Sequence, residues 1–118
     1  MTSRQAIVAA LGTVEGLAVS DGRPAAIAAF AAWPEWRSTR FRNQVRDGAR
    51  DVLWYVVVAL PAGGGTSGAI DAGDPLVETV GMALADAGLG VDVVEPAWLP
   101  IEPGGQAVPV LRFSIGDR

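Results

Sequence analysis

Apolar residues recur at helical intervals near the start and in the middle of this chain. Around positions 52–60, and again toward the C-terminus, they run or alternate as in strands. Thr2 followed by Gln5 has the spacing of a capping box, and Ile7, Leu11 and Val14 lie on one helical face, which predicts a first helix over 3–11 closed at Gly12. Residues 17–19 read as a short strand ended by Ser20, Asp21, Gly22 and Arg23-Pro24. Residues 24–36 (PAAIAAFAAWPEW) support two readings: the alanines favour helix, while Pro24 and Pro34 favour an extended arm or short strand. Residues 52–60 (VLWYVVVAL) are apolar without a break, rich in β-branched and aromatic side chains, and stopped by Pro61. They predict a strand.

The glycine-rich stretch 61–73 has no periodicity and reads as a loop. Asp74-Pro75 then resembles an N-cap with proline at the first helical position. The stripe Leu76, Val77, Val80, Ala83, Leu84 and Ala87 predicts an amphipathic helix over 74–88 that stops at Gly88, with Gly81 placed for a close helix–sheet contact. Two further strands are predicted, 91–95 continuing past Pro96 toward 101 and 107–115, joined by Pro103-Gly104-Gly105. The last alternates Leu111, Phe113 and Ile115 with Val110, Arg112 and Ser114, a half-buried pattern. Together these elements predict an α+β class, a mainly antiparallel sheet with two helices packed on one face, in a single domain over 1–118. A chain of 118 residues rarely covers both faces of a strand like 52–60 alone. The expectation is that a second chain helps to cover it, which favours an assembly protein over an enzyme.

Composition narrows the chemistry. There is no cysteine and no histidine, which removes thiol nucleophiles, thiolate metal sites, Ser-His-Asp triads and most zinc chemistry. No cofactor or metal is expected. The apolar runs are shorter than the roughly 18–20 residues that span a bilayer, and the interrupted N-terminal segment predicts neither a signal peptide nor a membrane partner. An intracellular origin is the corresponding expectation. All nine basic residues are arginine. Segment 37–50 (RSTRFRNQVRDGAR) holds five of them against Asp47, a formal +4, whereas the remainder has four arginines against twelve acids, −8, which together give the net −4. A net-acidic chain suits general nucleic-acid binding poorly, and charge segregated in this way suits docking between protein surfaces.

Several motifs carry competing readings. GGGTSG (63–68) lacks the Lys-Ser/Thr ending of a phosphate loop and reads as a flexible loop. Asp71 with Asp74, or Glu95 with Glu102, has the residue types of a paired-carboxylate site but reads more simply as solvated acids. Trp33-Pro34-Glu35-Trp36 is either an interface anchor or a core edge with a cation–π contact. Arg37, Arg40, Arg42, Arg46 and Arg50 fall on no single helix or strand face; they form a solvated connector, dock on an acidic partner, or bind nucleic acid with Trp36 and Phe41 stacking.

The order of elements, with Ala32-Trp33-Pro34 ending an arm, a polar connector, the strand VLWYVVVAL closing in Leu60-Pro61, one amphipathic helix and a C-terminal hairpin, resembles the small tail terminator proteins of long-tailed phages, notably those of actinobacterial phages and prophages. That resemblance implies a subunit of a six-membered ring, located in the virion, that caps the tail tube, stops its polymerisation and presents a surface to the head-completion proteins. It implies DNA passing through the ring without specific binding, and no catalytic residues. Under it, Trp33, Trp36, Arg37, Arg40, Arg42, Arg46, Arg50 and Trp54 are the expected contact residues with a neighbouring subunit or the tube. Two alternatives stand beside it. One is a head-completion or connector protein of the same particle. The other is a small α+β ligand-binding or enzymatic domain using carboxylates in a cleft beside Trp54 or Trp98.

Overall fold

The computed structural model describes residues 3–41, 50–61, 65–100 and 107–116. In chain order these form α1 (Ser3–Leu11), β1 (Ala18–Val19), β2 (Ala31–Phe41), β3 (Arg50–Ala59), α2 (Gly65–Asp86), β4 (Gly90–Pro100) and β5 (Ala107–Gly116). The five strands form one sheet in the order β1-β2-β3-β5-β4. All neighbours are antiparallel except β1 and β2. The fold is therefore α+β with a mostly antiparallel sheet.

Alternation sorts the strand residues into two sets. Ala32, Val56, Val58, Leu111, Phe113 and Ile115 form one buried cluster with Ile7 and Leu11 of α1 and Val80 and Leu84 of α2. The intervening positions Ala31, Trp33, Val57, Ala59 and Val110 form a second cluster, joined by Ile27, Tyr55, Ala97, Leu99 and Val108. This corrects the expectation for 56–60 of the apolar strand, whereas 52–55 remain partly exposed. Val56, Val57, Val58 and Ala59 are all 0–1% exposed within the single chain. Ile27, from the connection before β2, and Ala97, Leu99 and Val108 of β4 and β5 pack against the second cluster. The half-buried pattern predicted for β5 is likewise replaced by burial on both faces: Val110 and Ser114 are as enclosed as Leu111 and Phe113.

The ambiguous stretch 24–36 adopts the extended alternative from Ala31 onward. Phe30 turns the chain into β2 with a left-handed φ of 64°. Its amide donates to the Ala59 carbonyl (2.7 Å) and its carbonyl accepts from Ala18 N–H (3.0 Å), so the strained residue is held by β1 and β3 together.

The largest departure from expectation is α2. It begins at Gly65 and contains Pro75, so 65–73 is helix and Asp74-Pro75 is interior, not a cap. Proline inside a helix removes one hydrogen bond and crowds the preceding turn, a cost of about 3 kcal/mol. Burial offsets it: Ala69, Gly73, Val80 and Leu84, spaced four, seven and four apart, form the inward stripe. Gly73 makes the close approach, since a methyl group there would sit 3.4 Å from a Leu60 methyl and 3.5 Å from a Leu111 methyl. Gly81, expected to play that part, has nothing within 4 Å of the corresponding point. The helix ends as its sequence predicts. Gly88 has φ 80°, Leu89 N–H donates to Leu84 O (3.0 Å) and Gly88 N–H to Ala85 O (2.9 Å), a Schellman stop. Among the described residues, no helix is long and apolar enough to cross a membrane.

Candidate interaction surface

Two features of the sheet create open ground. β4 is the last strand in the order, so one side of its backbone is unpaired among the described residues. At the other edge β1 pairs with Ala31 and Ala32, leaving β2 beyond that point unpaired on its outer side among the described residues. Each open edge carries the same short pattern, Pro34-Glu35-Trp36 on β2 and Pro96-Ala97-Trp98 on β4. Proline lacks the N–H that an added strand would need, and β4 has a second one at Pro100. Both edges are thereby guarded against strand addition. They present side chains instead: Trp36 is 69% exposed and Trp98 54%.

The register places both tryptophans on the strand face that carries the first cluster. Trp36 lies opposite Trp54, which packs on that cluster. Around Trp36 a shallow recess is lined by Arg4, Asp21, Pro34, Thr39, Val52 and Trp54. Trp36 Nε1 donates to Thr39 Oγ1 (3.2 Å) at the surface. Trp98 borders a more enclosed groove of 360 Å³ between α2 and β4, lined by Ala69, Ile70, Gly73, Val77, Val94 and Leu111 with Asp74 and Thr66 at its polar margin.

The expected contact residues divide. Trp33 is fully buried in the second cluster, so it is a core residue and not an anchor for a partner. Its Nε1 donates to Glu35 Oε1 (2.9 Å), which also accepts from Arg23 Nη2 (2.8 Å) and Nε (3.0 Å). Trp54 is half-buried, and its Nε1 has no hydrogen-bond partner among the described residues. Arg37 is exposed, with its guanidinium 5.3 Å from the centre of the Tyr55 ring. Arg112 approaches the same ring to 5.1 Å. Arg40 and Arg50 sit at strand positions facing Asp51 and Phe41, so both ends of the predicted connector belong to strands. Arg42 and Arg46 lie outside the described residues, as do Thr2, the turn 103–105 and Glu102.

The paired-carboxylate reading gains no geometry. Asp71 and Asp74 are both exposed on α2. Among the described residues, no group of three or more His, Cys, Asp or Glu is arranged to hold a metal ion. A cleft beside Trp98 was among the sequence expectations, but the part of its wall formed by Thr66, Ala69, Ile70 and Gly73 was not, because 61–73 was read as loop. The spacing of Ala69 and Gly73 with Val80 and Leu84 was the available signal. No protein-family model matches the chain, and a search of curated proteins finds no similar sequence.

Proposed function

We propose that this chain is a structural subunit that closes into a homo-oligomeric ring of six copies, caps the tail tube of a long-tailed phage, ends its polymerisation and joins it to the head-completion proteins. The observation that carries the reading is the pair of guarded sheet edges, on opposite sides of one subunit, each presenting an exposed tryptophan. A subunit with two different contact surfaces associates head to tail, and where the rotation closes the product is a ring. The element order supports the specific class: an opening helix, the Ala-Trp-Pro strand, an arginine-rich hairpin, one amphipathic helix and a terminal hairpin resemble tail terminators. Coverage of β3 by a second chain is no longer part of the argument, nor is Trp33 as a contact.

In this reading the partners are further copies of the chain, the tail tube protein and a head-completion protein. DNA passes through a channel whose acidic walls repel it. The protein acts by assembly in the virion and performs no catalysis.

The test is tube polymerisation in the presence of the purified chain. Added at stoichiometric amounts to growing ends, it halts elongation. The variant with Arg40→Glu and Arg42→Glu folds normally and leaves tubes overlong. Tubes that grow equally long with and without the wild-type chain overturn the capping function. Cross-linking to the portal-side protein but not to the tube protein would assign the chain to the head-completion role instead.

The groove beside Trp98 gives the ligand-binding alternative a concrete site. That alternative predicts a melting temperature that rises with a small apolar metabolite. The second exposed tryptophan, Trp36 at the opposite edge and far from that groove, has no part in such a binding site and weighs against it.

A further inference from the structure

We infer that the groove between α2 and β4 is the socket for Trp36 of a second copy of this chain, so that the β2–β3 hairpin of one subunit lies along the α2–β4 side of the next. The inference rests on the ring reading above and specifies its contact.

The groove is apolar and open. Ile70, Val77 and Trp98 on its walls are 56%, 37% and 54% exposed, an uncovered cluster that water solvates poorly. Trp36 is the most exposed large apolar side chain among the described residues, at 69%. Its Nε1 already has a partner in Thr39, so the indole enters an apolar site without orphaning its donor.

Trp36 cannot fill the groove of its own subunit. β2 and β4 are separated by β3 and β5. Three inter-strand steps of about 4.8 Å put the two strands roughly 14 Å apart. Along the strands the offset is larger. Trp36 is level with Trp54, whereas Trp98 is paired with Pro109, which bonds Leu60, six residues farther along β3. At about 3.3 Å per residue that adds roughly 20 Å. The occupant therefore comes from another molecule.

Charge selects which molecule. Residues 65–100, comprising α2 and β4, carry six acids (Asp71, Asp74, Glu78, Asp86, Asp92, Glu95) and no arginine, a formal −6. The strands β2 and β3 carry Arg37, Arg40 and Arg50 against Glu35 and Asp51, a formal +1. The two sides of one subunit are complementary to each other, so the natural partner for either is a copy of the same chain. Because the prolines remove donors from both edges, such a contact is made by side chains and not by a continuous ladder.

The test is sedimentation velocity on the full chain over a concentration series, comparing wild type with Trp36→Ala, which removes the knob, and Ile70→Arg, which blocks the socket. Both positions are exposed, and far-UV circular dichroism checks that each variant is folded. Wild type self-associates, and each variant alone weakens self-association by at least about 30-fold, the effect of losing one hot-spot side chain. An equimolar mixture of the two variants retains one intact contact, so it forms a dimer that does not grow. Wild-type rings with both variants forming rings equally well would overturn this contact and leave the ring reading standing. Folded monomeric variants that fail to pair when mixed would overturn the head-to-tail arrangement. A wild-type chain that stays monomeric throughout would overturn both the contact and ring formation by the free chain.

Discussion

Trp33 and Trp36 stand three residues apart in one strand, and substituting each by alanine separates a core residue from a surface one. Trp33 is 0% exposed and Trp36 69%. A buried Trp→Ala replacement costs about 3–5 kcal/mol through lost transfer free energy and the cavity left behind. The hydrogen bond to Glu35 adds little, because Glu35 keeps Arg23 as a partner at 2.8 Å and is not orphaned. For 118 residues, an unfolding entropy of about 2.1 cal/mol/K per residue makes each degree of Tm worth about 0.25 kcal/mol. Trp33→Ala is thus expected to lower Tm by about 12–20 °C, whereas an exposed replacement stays within about 0.5 kcal/mol, or 2 °C. The readout is urea and thermal unfolding followed by far-UV circular dichroism, since the chain has four tryptophans and fluorescence would change with each substitution. The measurement is made at a concentration where each protein is monomeric, so that association does not enter. Comparable losses for Trp33→Ala and Trp36→Ala would refute the assignment of the two rings to core and surface, and with it the contact surface built on Trp36.

Gly81→Ala should stabilise by about 1 kcal/mol, because the site is helical and open, whereas Gly73→Val should cost about 1–3 kcal/mol by crowding Leu60 and Leu111; equal effects in urea titrations would refute the helix–sheet spacing. Gly88→Ala should cost about 1–2 kcal/mol, since its φ of 80° is left-handed, and an unchanged midpoint would contradict the Schellman stop. Pro75→Ala should restore a helical hydrogen bond and stabilise by about 1–3 kcal/mol, with slower amide exchange over 65–74; a loss of stability would show that the ring is packed and not merely tolerated.

Much of the fold was legible because local pattern and tertiary burial agree. The opening helix, the strand through 52–60, the Gly88 stop and the C-terminal hairpin all follow from periodicity and turn residues that the packing reinforces. The N-terminal half of α2 was not legible, since Gly65, Gly68, Gly73 and Pro75 are each poor helix residues. Their combined cost is offset by Ala69 and Gly73 packing on Leu60 and Leu111, contacts between segments that local sequence does not display. The same tertiary effect hid the second cluster: nothing around Ile27 announces that it packs against that cluster. At the candidate surface, the value of Trp36 was readable from its neighbours but that of Trp33 was not. A two-residue strand period puts 33 and 36 on opposite sides, and only the fold decides which side is enclosed. The groove beside Trp98 depended on the missed half of α2.

The ring itself is the central claim, and imaging tests it most directly. Negative-stain microscopy of the purified wild-type chain across a concentration series should show six-fold rings with a central hole. Uniform particles of single-subunit size at every concentration, with tube protein present as well as absent, would contradict the account.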